Sequence, residues 1–203
     1  MKKITRLLFI VLLTIGYTNV QSQDANNPWQ FSFGISAVDL DADSETSFSE
    51  FFAVDDNWNV SNGVSMFTLS NYLGDNLSLG LSGSVNSISK FADGFEFVND
   101  VKYFAADLML KYSLSEALNC DTMEPYVGVG FGNTWMDSES WMTTNASLGM
   151  NYWLSDVWGL TAQVDYKLNM SENGRGSTTL LDEGGTMRYS VGFSMKFGGS
   201  DKQ

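Results

Sequence analysis

Thr186-Met187-Arg188-Tyr189-Ser190-Val191-Gly192-Phe193-Ser194-Met195-Lys196-Phe197 is the stretch whose reading decides the fold. Tyr189, Val191, Phe193, Met195 and Phe197 fall on one face, and Arg188, Ser190, Gly192, Ser194 and Lys196 on the other. Period-2 alternation held this long marks a strand with one apolar face. An ordinary globular strand has about 5–6 residues, whereas a strand tilted across a bilayer needs about 9–11. The length favours the second kind.

Seven further segments repeat the pattern: Trp29–Ala37, Val64–Leu73, Leu77–Ile88, Val101–Ser113, Tyr126–Trp135, Met142–Leu154 and Gly159–Met170. Their connections alternate in length. Val38–Gly63, Ser89–Asp100, Met136–Trp141 and Ser171–Gly185 are the long ones. Gly74–Asn76 and Ser155–Trp158 are short, and Leu114–Pro125 is a looser turn. Short turns at one end and long loops at the other predict an all-β, eight-stranded antiparallel up-and-down transmembrane β-barrel, with both termini at the short-turn, periplasmic end. Aromatic residues gather at the strand ends. Trp29, Tyr72, Tyr112, Tyr126, Trp153, Trp158 and Phe197 lie at the short-turn side, and Trp58, Phe91, Trp135 and Trp141 at the other. Two belts are expected at the two membrane–water interfaces.

Alternation alone does not separate a membrane barrel from a soluble, lipocalin-like binding barrel, which turns its apolar face inward. The polar faces decide between them. They carry mostly Ser, Gly and Asn, which suit a crowded interior better than a watery exterior. The charges within strands, Asp107, Lys111, Asp165, Lys167, Arg188 and Lys196, share that presumed inner face with mixed signs. Eight strands enclose a bore that side chains just fill, so these six residues are expected to form a lumen charge network. A narrow polar pore is the alternative.

Residues 1–23 read as a secretory signal. Lys2, Lys3 and Arg6 precede the apolar run from Leu7 to Ile15, and Val20-Gln21-Ser22 follow. Residues 24–28 form a short lead-in, 29–197 the barrel and 198–203 a periplasmic tail. Removing the signal leaves eight basic residues against 24 acidic, a formal charge of −16. Such a chain does not suit nucleic acid as a partner. The single Cys120 forms no internal disulfide.

The 203 residues include no histidine, which removes Ser-His-Asp hydrolysis and the commonest zinc ligand. No enzymatic function and no cofactor are expected. In the first long loop Asp39, Asp41, Asp43, Glu45 and Glu50 match positions 1, 3, 5, 7 and 12 of an EF-hand loop. Ser44 replaces the glycine of position 6, and a strand rather than a helix precedes. A solvated acidic loop is the expected reading, with a looser Ca²⁺ site as the alternative. Phe48, Phe51, Phe52 and Trp58 suit packing over the barrel mouth or contact with a surface partner. Asp121-Thr122-Met123 matches a short O-glycosylation signal. The glycines of Tyr126–Gly132 lack a following helix or lysine, so they read as small residues in a crowded wall rather than a phosphate loop.

Two stretches carry a family resemblance. Asn27-Pro28-Trp29-Gln30-Phe31-Ser32-Phe33-Gly34 with Ala37-Val38-Asp39 resembles the start of the barrel domain of OmpA-like outer-membrane proteins of the Bacteroidetes type, within the porin superfamily. Ser190, Gly192, Met195 and Phe197 resemble the assembly signal read by the outer-membrane insertion machinery. OmpA-like proteins continue into a peptidoglycan-binding domain. Only Gly198–Gln203 follows here, so that role is not carried over. The plan is similar to stand-alone barrels of the OmpX or opacity type. The resemblance implies a Gram-negative outer-membrane location. Its partners would be outer-membrane lipid, the insertion machinery and a surface or envelope protein. The work would be structural or adhesive, or alternatively that of a small channel.

Overall fold

The computed structural model describes residues 23–42, 58–91, 95–137, 139–170 and 185–198. Among these residues nine strands appear: β1 (Trp29–Ala42), β2 (Asn59–Val60), β3 (Met66–Gly74), β4 (Leu77–Phe91), β5 (Phe95–Ser113), β6 (Met123–Met136), β7 (Glu139–Trp153), β8 (Trp158–Asn169) and β9 (Gly185–Phe197). Each of β3 to β9 pairs antiparallel with the next, β1 pairs with β3, and β9 returns to β1, from Trp29↔Phe197 to Ala42↔Gly185. The sheet is closed, an all-β, eight-stranded antiparallel barrel. β2 and β3 together make one wall strand, interrupted at 61–65. β3 pairs with β1 up to Gly34, and β2 resumes at Ala37↔Val60.

Most strands outrun the sequence expectation, because pairing continues past the point where the hydrophobic alternation fades. β1 runs on to Ala42 rather than ending at Ala37, and β5 begins at Phe95 rather than Val101. The loops expected at Val38–Gly63 and Ser89–Asp100 are therefore partly wall. The short turns behave as their residues dictate. Asp75 and Asn76 take φ of 49° and 64° between β3 and β4, the left-handed pair a two-residue hairpin needs, and these residue types tolerate it. Leu114–Thr122 holds a single helical turn, α1 (Ser115–Leu118), and Asn76 Nδ2 donates to Glu116 Oε2 at 2.6 Å, tying two short turns together.

The faces are oriented as a membrane barrel requires. Leu148 is 62% exposed and Phe193 50%, whereas Lys167 and Arg188 are each 1% exposed. A lipocalin-like carrier needs the reverse, so that alternative falls.

The closing seam is tight. Gly34 on β1 faces Gly192 on β9. A β-carbon at Gly34 would lie 2.1 Å from the Val191 carbonyl oxygen, and one at Gly192 would lie 2.1 Å from that of Phe33. Only hydrogen fits at either position.

Candidate functional site: the filled lumen

Every strand delivers alternate residues to the bore, so parity decides what lies there. The contents fall into three layers along the axis.

The middle layer is ionic. Arg188 from β9 donates through Nε and Nη2 to Asp165 Oδ2 on β8 at 3.0 and 2.8 Å, and through Nη1 to Ser84 Oγ on β4 at 2.9 Å. The same Nη1 lies 2.9 Å from Asp107 Oδ2 on β5. Asp107 Oδ1 also receives the Lys167 ammonium and, at 2.9 Å, Asn145 Nδ2. Asp165 Oδ1 accepts from Gln163 Nε2 at 2.6 Å. Gln163 Oε1 in turn accepts from Lys111 Nζ at 2.9 Å and Tyr126 Oη at 2.7 Å, and Lys111 lies over the Tyr126 ring at 4.5 Å. A continuous chain of polar contacts thus joins Lys111 to Lys167. Charges so deeply buried persist only when partnered, and these have dense partners. Gly132 makes the room: a β-carbon there would lie 2.1 Å from Asp107 Oδ1.

The short-turn layer holds Lys196, the sixth of the expected network residues, away from the other five. Its ammonium lies 4.0 Å over the Trp153 ring. The Trp153 indole N–H donates to Glu124 Oε2 at 2.8 Å, and Asn151 Nδ2 donates to the same oxygen at 3.2 Å. Ser32 and Ser194 exchange a 2.7 Å hydrogen bond beside Gln30, across the seam.

The long-loop layer is apolar. Val38, Leu40, Ile88, Tyr103, Ala105, Met136 and Trp141 form a buried cluster over the ionic layer, with Val101 packed against it. Beside it, Asn86 Nδ2 donates to the Ser36 carbonyl at 2.9 Å, and the Ser36 and Ser65 hydroxyls meet at 2.8 Å where the β2–β3 wall is interrupted. Two backbone bonds, from Ser61 N to the Ser36 carbonyl at 3.0 Å and from Ser65 N to the Gly34 carbonyl at 2.8 Å, and these side chains bridge the interruption.

Three aromatic residues expected in the interfacial belts are inside instead: Tyr126, Trp141 and Trp153, all buried. Their parity on β6 and β7 places them with Gly128, Asn145 and Asn151, and strand register overrides position along the strand. Trp29, Tyr112, Trp135, Trp158 and Phe197 do face outward. Trp58 stacks on Tyr189, with centroids 4.0 Å apart. Glu124, a seventh strand charge in the bore, was missed because the segment ending at Pro125 reads as a turn. Extending the inward parity of Tyr126 and Gly128 back by one step finds it.

Of the acidic residues suggested as a Ca²⁺ loop, Asp39 and Asp41 belong to β1, where Asp39 is buried and pairs with Met187. Asp43, Glu45 and Glu50 lie outside the described residues, as do residues 1–22 of the signal segment and most of the tail. Among the described residues no group of three or more His, Cys, Asp or Glu is placed to hold a metal. Of the resemblance to an assembly signal, Ser190 and Gly192 face the bore, while Met195 opposes Phe31 and Phe197 opposes Trp29.

No family model and no curated protein sequence matches the chain. Solved structures do. The outer membrane protein OprG from Pseudomonas aeruginosa superposes with a TM-score of 0.58 at 15% identity, covering 88% of this chain and 98% of its own. Neisserial surface protein A gives 0.59 at 12% identity, covering 83% and 97%. The outer membrane protein AlkL, solved in DMPC bilayers, gives 0.52 at 18% identity, covering 88% and 94%. At such identities the likeness is one of fold: the chain folds as the eight-stranded barrels of these outer-membrane proteins do.

Proposed function

We propose that this protein spans the Gram-negative outer membrane as a barrel with a sealed bore, and that its work is structural or adhesive rather than catalytic. The carrying observation is the inversion of polarity. Outer-face Leu, Val and Phe side chains stand exposed, while Asp107, Asp165, Lys167 and Arg188 lie at 1% exposure inside. Hydrocarbon stabilises the first arrangement, and water would penalise it.

The bore supports the sealed reading over a channel. Its ionic layer is cross-linked from wall to wall, and an apolar layer lies above it. A solute path would have to break buried ion pairs and wet a hydrophobic plug, each costly. With the short turns and both ends of the described chain in the periplasm, the long loops face outward as the surface that meets other molecules.

Planar-bilayer recording of the refolded protein tests this. Silence with correct heat-modifiable migration is expected. Steady, reproducible single-channel steps would overturn the sealed bore in favour of a small channel.

A further inference from the structure

The lipid-facing wall is not uniform. Across β6, β7, β8, β9 and β1 the outward residues Pro125, Met150, Ala162, Val191 and Ile35 stand in one cross-strand row. Leu148, Val164, Tyr189, Ala37 and Val60 form the next. Small side chains at Ala37, Val164, Val191 and above all Ala162 lower these rows. One flank is a ridge of larger residues, Tyr152, Leu160, Phe193 and Phe33. The Trp58–Tyr189 stack stands at the far end. The result is an almost wholly apolar trough of about 530 Å³ in the outer wall.

Its course matches one leaflet. The trough starts at Pro125, two residues into β6, and has climbed by Ile35, six residues into β1. Four interstrand steps of about 4.8 Å make it about 19 Å long. Strands tilted by roughly 40° set the row at roughly 50° to the bilayer normal, so it rises about 12 Å, within the half-thickness of a ~30 Å hydrocarbon core. The low end opens between the β5–β6 and β7–β8 turns, which carry Glu116, Asp121 and Asp156 and no Lys or Arg among residues 114–122 and 154–157. That charge repels an anionic headgroup and attracts an ammonium.

We propose that this trough seats one acyl chain of an ethanolamine-headed phospholipid from the periplasmic leaflet, its headgroup at the acidic short turns and its chain end at Trp58. The proposal rests on the membrane reading above. Its mechanism is shape: a chain lying in the trough touches protein on its floor and along the Tyr152–Phe33 ridge, which a chain on a convex barrel wall does not.

The test uses the full mature chain in vesicles containing phosphatidylethanolamine with a photoactivatable group in its acyl chain, the adducts being mapped by mass spectrometry. Flotation with the vesicles is read first, and its failure would sink the membrane reading itself. Given flotation, adducts are expected to concentrate on Leu148, Ala162, Val164 and Val191. Ala162→Phe should lower them about tenfold, the worth of some two buried methylenes. Val85→Phe, on another part of the outer wall, should leave them unchanged. The same probe with a phosphatidylglycerol head should label the trough less. Adducts spread evenly around the wall would overturn the proposal, and the wild-type map decides this even if Ala162→Phe fails to fold. Equal labelling by both lipids would overturn its headgroup part. Crosslinks between copies through Leu148 and Val191 would replace the lipid with a second copy of the chain.

Discussion

Arg188 and Asp107 stand four steps apart around a ring of eight strands, on opposite walls, and their charges meet across the bore at 2.9 Å. The pair is a strut, and Asp107 also holds Lys167. Asp107→Asn leaves two buried cations short of a carboxylate. We expect it to destabilise the barrel by about 3–5 kcal/mol. Asp107→Leu combined with Lys167→Met removes one charge of each sign and should cost less than Asp107→Asn alone, because Arg188 keeps Asp165. Urea unfolding in micelles, followed by tryptophan fluorescence, measures both. A double variant weaker than the single one would refute the strut.

On the sealed-bore proposal, the apolar layer and the ionic layer each suffice to close the lumen. Trp141→Ala should therefore cost about 3–5 kcal/mol through the cavity it leaves, yet leave the refolded barrel non-conducting. Bilayer recording checks the second half. Conductance in Trp141→Ala alone would show that the ionic layer is leaky.

Gly34 and Gly192 set the tightness of the seam. Gly34→Ala and Gly192→Ala each place a methyl group against backbone of the opposing strand, which has no rotamer to yield. A loss of about 1–3 kcal/mol is expected for each. Gly83, whose added β-carbon would meet nothing nearer than 4.0 Å, provides the control. Gly83→Ala should be close to neutral in the same titration.

Phe197 closes β9 against Trp29 at the short-turn end of the wall. Phe197→Ser exchanges an outward ring for a hydroxyl at the interface and removes the last apolar residue of the terminal strand. Reduced insertion is expected, read as loss of heat-modifiable migration and of surface labelling in cells. Wild-type levels of both would show that assembly does not read this residue.

Parity along each strand was legible because a barrel wall has two solvents, one per face, and selects each face separately. Lys167, Arg188, Asp107 and Asp165 were thereby assigned to the interior from sequence. Which of them meet was not legible. Arg188 and Asp107 are neighbours only because the sheet closes, and cross-bore distances depend on tilt and stagger that no local pattern encodes. Trp153 and Trp141 were misplaced for a different reason. Position near a strand end suggested the interfacial belt, but their parity pointed inward, and parity is the stricter constraint. Glu124 hid behind Pro125, which reads as a turn although it lies in a paired strand.

The ladder from Trp29↔Phe197 to Ala42↔Gly185 joins the first strand made to the last. No shorter piece of the chain can complete the cylinder, and β1 exposes an unpaired edge until β9 arrives. Until that ladder forms, a partly paired sheet offers an open edge that can template aggregation, so the cylinder closes only once the whole set of strands is present. Closure is then a single late event, and a truncation anywhere in β9 should turn a stable cylinder into a substrate for proteases.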